Sequence, residues 1–453
     1  MIVMKFGGSS VANAERIRAM ADIVKSQLNR KPVLVLSAMG DTTDHLLDAA
    51  EKALKTGPHT VEQSLEIITD IHLCALKALG LSNSVPEDIK SLLSDLASLL
   101  AGISLIRELT GKTRDFLVSF GERLSVRIAA MYFKSIGING QACDAWDIGF
   151  ITDSNFTGAE LLDECRLTVP AKIEPLLQAG ILPVVTGFIA KNQAGDITTL
   201  GRGGSDLTAT FIASACGAEE VQVWKDVDGI MSYDPRIVKS AKPISHVTYE
   251  EASELAYFGA QVLHPRAMLP CCKTGTPVIV KNSYNPAAPG TIISAALDSS
   301  AAPVRALTSR RNVTLVDIVS ARMLGASGFL GEVFSAFARH KISVDMVATS
   351  EVSVSVTLDS SNELSLIKKE LSQIASIDIK TKKAIVSIIC NIEKSSWILE
   401  RAFAVCAKLG VQVQMISQGA SKVNISFVVN DTQAKDLVCG LHKEFFEHAN
   451  TTL

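Results

Sequence analysis

The stretch MIVMKFGGSSVA, residues 1–12, contains the features from which the fold can be argued. A short apolar run, Ile2–Met4, leads through a lysine and two glycines into a segment that turns helical near Ala12. Adjacent glycines let the backbone approach an anion, and N–H groups at the start of a helix point outward at it. For Gly-Gly-Ser-Ser alone an ordinary glycine turn is the simpler explanation, but Lys5 adds a charge suited to a phosphate.

The same alternation of short apolar runs and amphipathic segments continues for about the first 290 residues. Val33–Leu36 and Leu182–Val185 have the character of buried strands, and residues 14–28, 64–79 and 86–106 have a helical period. This pattern predicts an α/β fold with a mostly parallel central sheet and helices on both faces. A stretch rich in Pro, Gly and Ser follows residue 284, so we place the end of this first domain at residue 297.

The remainder of the chain contains a repeat. A constant shift of 69 residues places Leu330 on Leu399 and Val356 on Ile425. In both copies the apolar period changes from helical to strictly alternating, which predicts two α+β modules of strand, helix, strand and strand. We assign residues 304–381 to the first module and residues 382–453 to the second. Chance similarity of two α+β segments is the alternative.

Composition excludes several classes of protein. The 453 residues carry 44 Lys and Arg against 47 Asp and Glu, which argues against a nucleic-acid surface. No uninterrupted apolar run reaches the ~18 residues of a membrane span, and residues 1–8 lack the pattern of a signal peptide. The nine cysteines form no Cys-x-x-Cys pair and the eight histidines no paired spacing. We therefore expect a soluble intracellular protein with free thiols and no metal site built from side chains.

A second glycine-rich segment, residues 200–206 (LGRGGSD), precedes an apolar helix. Arg202 could hold a carboxylate through two hydrogen bonds. Asp206 has two equally good explanations at this stage, a catalytic role or a favourable place in the first turn of a helix. Neither glycine segment completes a Walker A or a dinucleotide-binding motif.

Two further segments are ambiguous by themselves. Residues 119–122 (SFGE) fit the capping box of a helix that starts at Arg123, or present Glu122 to a ligand ammonium. Residues 223–236 place Lys225 and Arg236 after an apolar strand, where phosphates or plain solvent could meet them. Taken together, two glycine-rich anion loops with a lysine and an arginine favour phosphoryl transfer, which depends on charge neutralisation and positioning.

With these motifs in order, the chain resembles the aspartokinase family over its whole length. The resemblance rests on the segments already quoted and on three others, which are DVDG at 226–229, FGA at 258–260 and VLHP at 262–265. It implies an amino-acid-kinase three-layer sandwich followed by two ferredoxin-like ACT domains, the first completed by the C-terminal residues. It also implies a lysine-sensitive enzyme that uses Mg²⁺-bound ATP to phosphorylate the β-carboxylate of L-aspartate. The product would be 4-phospho-L-aspartate, in the first step of lysine, threonine and methionine biosynthesis.

The resemblance further implies a role for particular residues. Lys5 and Asp206 would be catalytic, and four residues would hold aspartate, namely Thr43, Glu122, Arg202 and Ser205. The ATP site would be formed by Gly7, Gly8, Ser9, Ser37, Lys225, Asp226, Tyr233, Arg236 and Val262. Ser9 replaces the usual Thr, Lys225 a common Thr and Gln261 a common Lys, as in the plant-type branch. These changes move a positive charge between two loops near the nucleotide.

The feedback site carries over in the same way. Inhibitory lysine would contact Met323, Phe329, Leu330, Ser343, Asp345 and Glu351. The carboxylates of Asp345 and Glu351 could pair with an ammonium, whereas the corresponding residues of the second copy are Gln414 and Ala420. The resemblance also implies a homo-oligomer formed through the ACT domains, in the cytoplasm or in a plastid.

Two alternatives remain open on the sequence. The first is another amino-acid kinase, such as one that acts on glutamate. The second is a regulatory amino-acid-binding protein whose kinase domain is inactive, which the presence of Lys5, Arg202 and Asp206 disfavours.

Overall fold

The structure, a computed structural model, describes residues 1–55, 58–81, 85–257, 263–296, 302–323, 327–359, 364–418 and 423–447, with the backbone only at residues 58–60 and 322. The chain divides into two compact units. The first unit comprises Met1–Ile230, Ser245–Tyr249 and Val262–Leu297. The second comprises Met231–Ile244, Glu250–Gln261 and Asp298–Leu453, so two short segments from within the expected kinase domain group with the C-terminal modules.

The first unit is built on an eight-stranded sheet in the order β3-β5-β2-β1-β8-β10-β11-β9, with a separate three-stranded sheet in the order β4-β6-β7. In the large sheet, β10 and β11 form the antiparallel pair and the other neighbours are parallel, which confirms the predicted sheet. The strands are Ile2–Phe6 (β1), Pro32–Leu36 (β2), Gly140–Cys143 (β3), Ile151–Thr152 (β4), Leu182–Thr186 (β5), Ile189–Asn192 (β6), Ile197–Thr199 (β7), Val221–Lys225 (β8), His246–Thr248 (β9), Val278–Asn282 (β10) and Thr291–Ser294 (β11).

Helices cover this sheet and follow the predicted amphipathic segments. Asn13 caps the first helix by accepting a hydrogen bond from the Arg16 amide, and Thr110 caps the fifth. The eighth helix lies almost entirely in the second unit. The helices are Ala14–Lys25 (α1), Thr42–Lys55 (α2), Pro58–Ala78 (α3), Glu87–Ile106 (α4), Gly111–Ser135 (α5), Cys165–Gln178 (α6), Gly204–Ala215 (α7), Tyr249–Tyr257 (α8) and Pro265–Thr274 (α9).

Strand β1 shows how the fold positions the site. Successive side chains of a strand point to opposite faces of the sheet. Met4 and Phe6 pack into the large apolar core formed with α1–α5. Lys5 therefore points to the other face, where α7 packs against β1.

Helix α4 is, among the described residues, the one helix long and apolar enough to cross a membrane by length and composition. Its apolar residues Ile89, Leu92 and Leu96 are buried in the core, and it carries Lys90 and Asp95. Core helices of soluble proteins pass the same test, so the helix is weak support for a membrane span.

The second unit contains a six-stranded antiparallel sheet in the order β13-β14-β12-β15-β17-β16. Each half has the predicted order of strand, helix, strand and strand. The elements are Val304–Val319 (β12), Phe329–Arg339 (α10), Met346–Thr349 (β13), Ser353–Asp359 (β14), Leu364–Leu371 (α11), Ser376–Cys390 (β15), Ser395–Leu409 (α12), Met415–Ser417 (β16), Asn424–Asn430 (β17) and Asp431–His442 (α13), which a π-helical turn, Lys443–Glu447, extends.

The modules divide the chain differently from the prediction. The first half of β12 pairs with the second half of β15, and Val304 and Leu307 share an apolar core with the C-terminal helix α13. A separate core, which runs from Val316 to Ile379, closes the first module without the chain terminus. The expectation that the C-terminal residues complete the first module is therefore wrong. The long strand β12 passes from one module to the other at an irregularity in its pairing near Asn312. No local pattern in the sequence predicts that one strand is shared by both modules.

Candidate active site

A cavity of about 580 Å³ in the first unit brings the two glycine-rich segments together. Eight of the residues assigned to catalysis or substrate binding line it, namely Lys5, Gly8, Ser37, Thr43, Glu122, Arg202, Ser205 and Asp206. The walls also include parts of α2 and α5. The carboxyl-terminal ends of β1 and β2 thus meet the amino-terminal end of α7, the usual place for a ligand in an open α/β sheet.

A buried ion pair lies in this cavity. The Nζ of Lys5 is 2.6 Å from Oδ1 of Asp206, and the Nζ of Lys225 is 3.6 Å from Oδ2. Burial favours the neutral form of Asp206, but the charges of Lys5 and Lys225 outweigh it and lower the pKa of the carboxyl group. Burial also lowers the pKa of Lys225. One carboxylate therefore holds two ammonium groups beside the cavity, an arrangement suited to a polyanion.

Close packing leaves no room for a side chain at one glycine of each segment. A Cβ on Gly8 would lie 2.9 Å from the Gly40 carbonyl oxygen, and the Gly40 amide donates to the Gly8 carbonyl. Gly203, the residue that precedes α7, has a φ of +75°, and a Cβ there would lie 2.6 Å from Cβ of His264. Close approach of backbones therefore fixes glycine at both positions.

Glu122 is not part of a capping box. Helix α5 begins at Gly111, so Glu122 lies in its middle, and the Ser119 hydroxyl donates to the Phe116 carbonyl instead. One carboxylate oxygen, Oε1, accepts from the Ala38 amide at 3.2 Å, while among the described residues Oε2 is buried without a partner. Burial raises the pKa of Glu122 to about 8. Oε2 is therefore an acceptor that a cationic group of a ligand could use.

Arg202 and the two serines complete the acceptor side of the cavity. Arg202 is exposed, and its guanidinium has no hydrogen bond or ion pair to any residue that the structure describes. The Ser37 hydroxyl donates to the Ser205 hydroxyl at 3.1 Å, which joins the end of β2 to the first turn of α7. An arginine without a partner at the edge of a cavity is available to a ligand carboxylate.

Sequence reasoning missed further residues of the cavity, among them Arg114, Asp115, Thr157, Phe188 and Thr199. Asp115 precedes Glu122 by seven residues, two turns of the same helix, so the spacing was a signal that could have found it. Arg114 lies beside Asp115 in the same helix, whereas Thr157 and Phe188 lie on loops and Thr199 on a short strand, where no periodicity marks them.

The remaining residues assigned to ATP lie outside the lining of this cavity. Gly7 and Ser9 flank Gly8, and Asp226 is exposed just after β8. Tyr233 and Arg236 belong to the second unit. There the Tyr233 hydroxyl is 2.6 Å from that of Ser309, and Arg236 pairs with Asp234. Val262 and Gln261 fall outside the described residues.

The residues assigned to feedback lie in the first module of the second unit. Asp345 Oδ1 accepts from Tyr257 at 2.7 Å and from Arg310 at 3.0 Å, whereas Oδ2 is buried with no partner among the described residues. Burial raises the pKa of Asp345 against these contacts. Phe329 and Met323 belong to the apolar core of the module, Leu330 is 40% exposed, and Ser343 and Glu351 are exposed.

No group of three His, Cys, Asp or Glu side chains suited to a metal ion occurs within the described ranges.

Comparison with known proteins shows which protein family the chain belongs to. The sequence profile of the amino acid kinase family matches residues 1–282, and that of an ACT domain matches residues 316–364 and 386–445. The chain is 50% identical to aspartokinase 1, chloroplastic, of Arabidopsis thaliana, over 98% of this chain and 80% of that one. It is 36% identical to the lysine-sensitive aspartokinase 3 of Escherichia coli, over 99% of both.

Solved structures agree. Aspartokinase III of E. coli in complex with aspartate and ADP superposes with a TM-score of 0.83 at 35% identity, covering 98% of this chain and 100% of that one. The complex of the same enzyme with lysine and aspartate gives a TM-score of 0.80, covering 98% and 99%. The chain belongs to the aspartokinase family. Its activity is that of an aspartate kinase with allosteric regulation through ACT domains.

Proposed function

We propose that the cavity transfers the terminal phosphoryl group of ATP to the β-carboxylate of L-aspartate, with Lys5 and Arg202 serving opposite ends of the reaction. The observation that carries this assignment is that both cations line one cavity of about 580 Å³. A β-carboxylate oxygen forms the new bond to phosphorus as the bond to the bridging oxygen of ADP breaks. The products are 4-phospho-L-aspartate and ADP.

Three groups recognise the acceptor in this proposal. Arg202 takes the α-carboxylate through its two parallel N–H donors. Glu122 takes the α-ammonium on Oε2, the buried oxygen that has no partner among the described residues. Thr43 and Ser205 provide hydroxyl groups that line the same cavity. These contacts leave the β-carboxylate free to face the nucleotide.

The other wall stabilises the transferring group. Lys5, held by Asp206, neutralises charge that develops on the phosphoryl oxygens, and the backbone amides of Gly7, Gly8 and Ser9 add hydrogen bonds. Lys225, next to the same carboxylate, and the Ser37 hydroxyl extend this polar surface. No general base is needed because the β-carboxylate of aspartate is ionised near pH 7 and is already a nucleophile.

Magnesium is expected to arrive bound to the nucleotide phosphates. Its chemistry would be to neutralise charge on the β- and γ-phosphates. The anionic side chain of Asp206 is already engaged by two ammonium groups, which fits a metal held mainly by ATP. Asp226, Tyr233, Arg236 and Val262 remain our candidates for the remainder of the nucleotide site.

Lysine is the proposed feedback inhibitor. The E. coli relative at 36% identity is described as lysine-sensitive, and a structure of that enzyme contains lysine. In this chain Asp345 keeps one buried carboxylate oxygen without a partner among the described residues, which a ligand ammonium could occupy. Glu351 and Ser343 lie nearby in sequence, and Met323, Phe329 and Leu330 would surround the aliphatic part of the ligand. We further propose a homo-oligomer formed through the ACT domains, in the cytoplasm or in a plastid.

Release of ADP in the presence of ATP and a panel of acceptors tests the assignment. Aspartate should support release, whereas glutamate should not, because glutamate is one CH₂ longer and its distal carboxylate would lie elsewhere when Arg202 and Glu122 hold its α-groups. Lys5→Ala should abolish release with aspartate while the protein remains folded. Equal rates with glutamate, or an active Lys5→Ala enzyme, would contradict the proposal.

A further inference from the structure

Asp115 is a buried carboxylate that lines the cavity but belongs to neither glycine-rich segment. It lies near the start of α5 and is 1% exposed. Its Oδ2 accepts from the Thr157 amide at 2.8 Å and from the Thr199 amide at 3.0 Å. Its Oδ1 accepts from the Thr199 hydroxyl at 2.8 Å. Three donors from two separate chain segments therefore converge on one side chain.

The first of these segments is held in a costly conformation. Thr157 has a φ of +70°, the left-handed region that a β-branched residue rarely adopts. Such a conformation persists only when its surroundings hold it, and the hydrogen bond of the Thr157 amide to Asp115 does so directly. Asp115 therefore fixes a strained turn on the wall of the cavity.

The two segments are also fastened to each other. The Ala159 amide donates to the Thr199 carbonyl at 2.8 Å. From α9, the guanidinium of Arg266 donates to the carbonyls of Leu200 and Ala159, each at 3.0 Å. Hydrogen bonds thus link residues 157–159 to residues 199–200 in one unit. Asp115 of α5 and Arg266 of α9 hold this unit in place.

This unit carries Arg202. Only residues 200–203 separate Thr199, the last residue of β7, from Gly204, the first residue of α7. Since the Arg202 guanidinium has no partner among the described residues, its position depends on how the two ends of this short loop are held. Asp115 holds one end through Thr199.

We propose that Asp115 is a positioning residue for the acceptor, which sets the place of Arg202 by fixing Thr157 and Thr199. The proposal rests on the function proposed for Arg202. Two backbone amides donate to Oδ2 and a hydroxyl donates to Oδ1, so the hydrogen bonds of Asp115 run to the segments that flank Arg202, and we place its effect there.

Steady-state kinetics of ADP release by the full chain test the proposal. Asp115→Asn removes the negative charge that strengthens all three hydrogen bonds and replaces one of the two acceptor oxygens by an amide nitrogen. Its KM for aspartate should rise about tenfold, with kcat and the KM for ATP within about twofold. Thr199→Val removes only the hydroxyl donor and should raise the same KM about threefold. Thr199→Ser, which keeps the hydroxyl, should restore the value of the unmodified enzyme.

A double-variant experiment distinguishes positioning from general destabilisation. In an Arg202→Met background, Asp115→Asn should change the KM for aspartate by less than about twofold, because the group through which it acts is gone. Asp144→Asn is the matched control. It alters another buried carboxylate, which pairs with Arg127 of the same helix, and should lower the melting temperature without changing the KM.

The outcomes separate the two proposals. A normal KM for aspartate in Arg202→Met contradicts the proposed function itself. If the KM for aspartate rises in Arg202→Met and the effects of Arg202→Met and Asp115→Asn add in the double variant, the positioning role of Asp115 is overturned and the proposed function stands. An unchanged KM in Thr199→Val and Asp115→Asn overturns it equally. If Asp115→Asn does not fold, the Thr199 variants, alone and with Arg202→Met, decide the same question.

Discussion

The ammonium of Lys5 lies 2.6 Å from Oδ1 of Asp206, and both side chains are less than a tenth exposed. An exposed pair on α2, Lys52 and Asp48, has the same separation of 2.6 Å with side chains 41% and 54% exposed. The two pairs differ in burial and not in distance. The contrast supplies an internal control for the pair that we propose to be catalytic.

Asp206→Asn should lower both activity and stability. It leaves Lys5 and Lys225 buried without their shared carboxylate, which costs about 3 kcal/mol of unfolding free energy, and kcat should fall by about 10². Because the pKa of Asp206 is lowered in the folded protein, its contribution to stability is present above the ordinary carboxyl pKa. The stability difference between Asp206→Asn and the unmodified enzyme should therefore shrink as the pH falls below about 4.

Denaturant unfolding at several pH values checks this prediction. Asp48→Asn should change the free energy of unfolding by less than about 0.5 kcal/mol, because solvent screens the exposed pair. Equal effects of the two substitutions would show that burial of the Lys5 pair carries no energetic weight.

Binding of aspartate should release a proton from Glu122. Its pKa of about 8 makes the free side chain mostly protonated at pH 7, and a bound ammonium favours the ionised form. Calorimetry in buffers of different ionisation enthalpy should find about 0.9 proton released at pH 7 and about 0.1 at pH 9. Glu122→Gln should bind more weakly and release none. Proton release that is unchanged in Glu122→Gln would remove Glu122 from the site.

The same shift predicts a pH dependence of stability. The folded pKa of Glu122 is raised, so its contribution is complete below the ordinary carboxyl pKa near 4.5 and is lost as the pH rises through about 8. Glu122→Gln should therefore weaken the decline in stability of the ligand-free enzyme over this range. Thermal unfolding from pH 5 to pH 8.5 measures it, and parallel curves for the two proteins would be inconsistent with a buried neutral carboxyl group.

Gly203→Ala should damage the active site more than a comparable glycine substitution elsewhere. Gly203 and Gly217 both have a positive φ, at +75° and +61°, but only at Gly203 would a Cβ meet another side chain, that of His264. Gly217→Ala should cost about 1 kcal/mol from strain alone. Gly203→Ala should cost about 3 kcal/mol and raise the KM for aspartate, because it displaces the loop of Arg202. Similar losses in both variants would show that close packing at Gly203 is unimportant.

Asp345→Ala should relieve lysine inhibition without abolishing catalysis, because it removes the carboxylate proposed for the ligand ammonium. The internal repeat offers a matched control. Gln414 is the corresponding residue of the second module, and Gln414→Ala should leave the inhibition curve unchanged. Activity measured against lysine concentration in both variants checks the assignment. Inhibition that persists in Asp345→Ala would place the feedback site elsewhere.

The fold was accessible from the sequence where patterns are local. The apolar runs at β1, β2 and β5 and the amphipathic segments of α1 and α4 have the periods that strands and helices impose. The exchange of strands between the C-terminal modules was not accessible. It depends on the pairing of β12 with β15, residues distant in sequence, and neither strand carries a signal of which partner it will choose.

The site residues, too, were predictable from the sequence where a local pattern marked them. Lys5 and Arg202 were found because glycines mark the loops that carry them. Glu122 was a candidate from its position, but the Ser-x-x-Glu spacing is also that of a helix cap, and the two could not be separated until α5 was seen to begin eleven residues earlier. The spacing of Asp115 from Glu122 could have placed it on the same face of α5, but its contacts with Thr157 and Thr199 exist only in the folded chain.

A crystal structure with aspartate and a non-hydrolysable ATP analogue tests the central claim most directly. The α-carboxylate of aspartate should lie about 3 Å from the Arg202 guanidinium, and the terminal phosphate should lie about 3 Å from Nζ of Lys5, within one cavity. Aspartate bound away from Arg202, or a terminal phosphate out of reach of Lys5, would contradict the account.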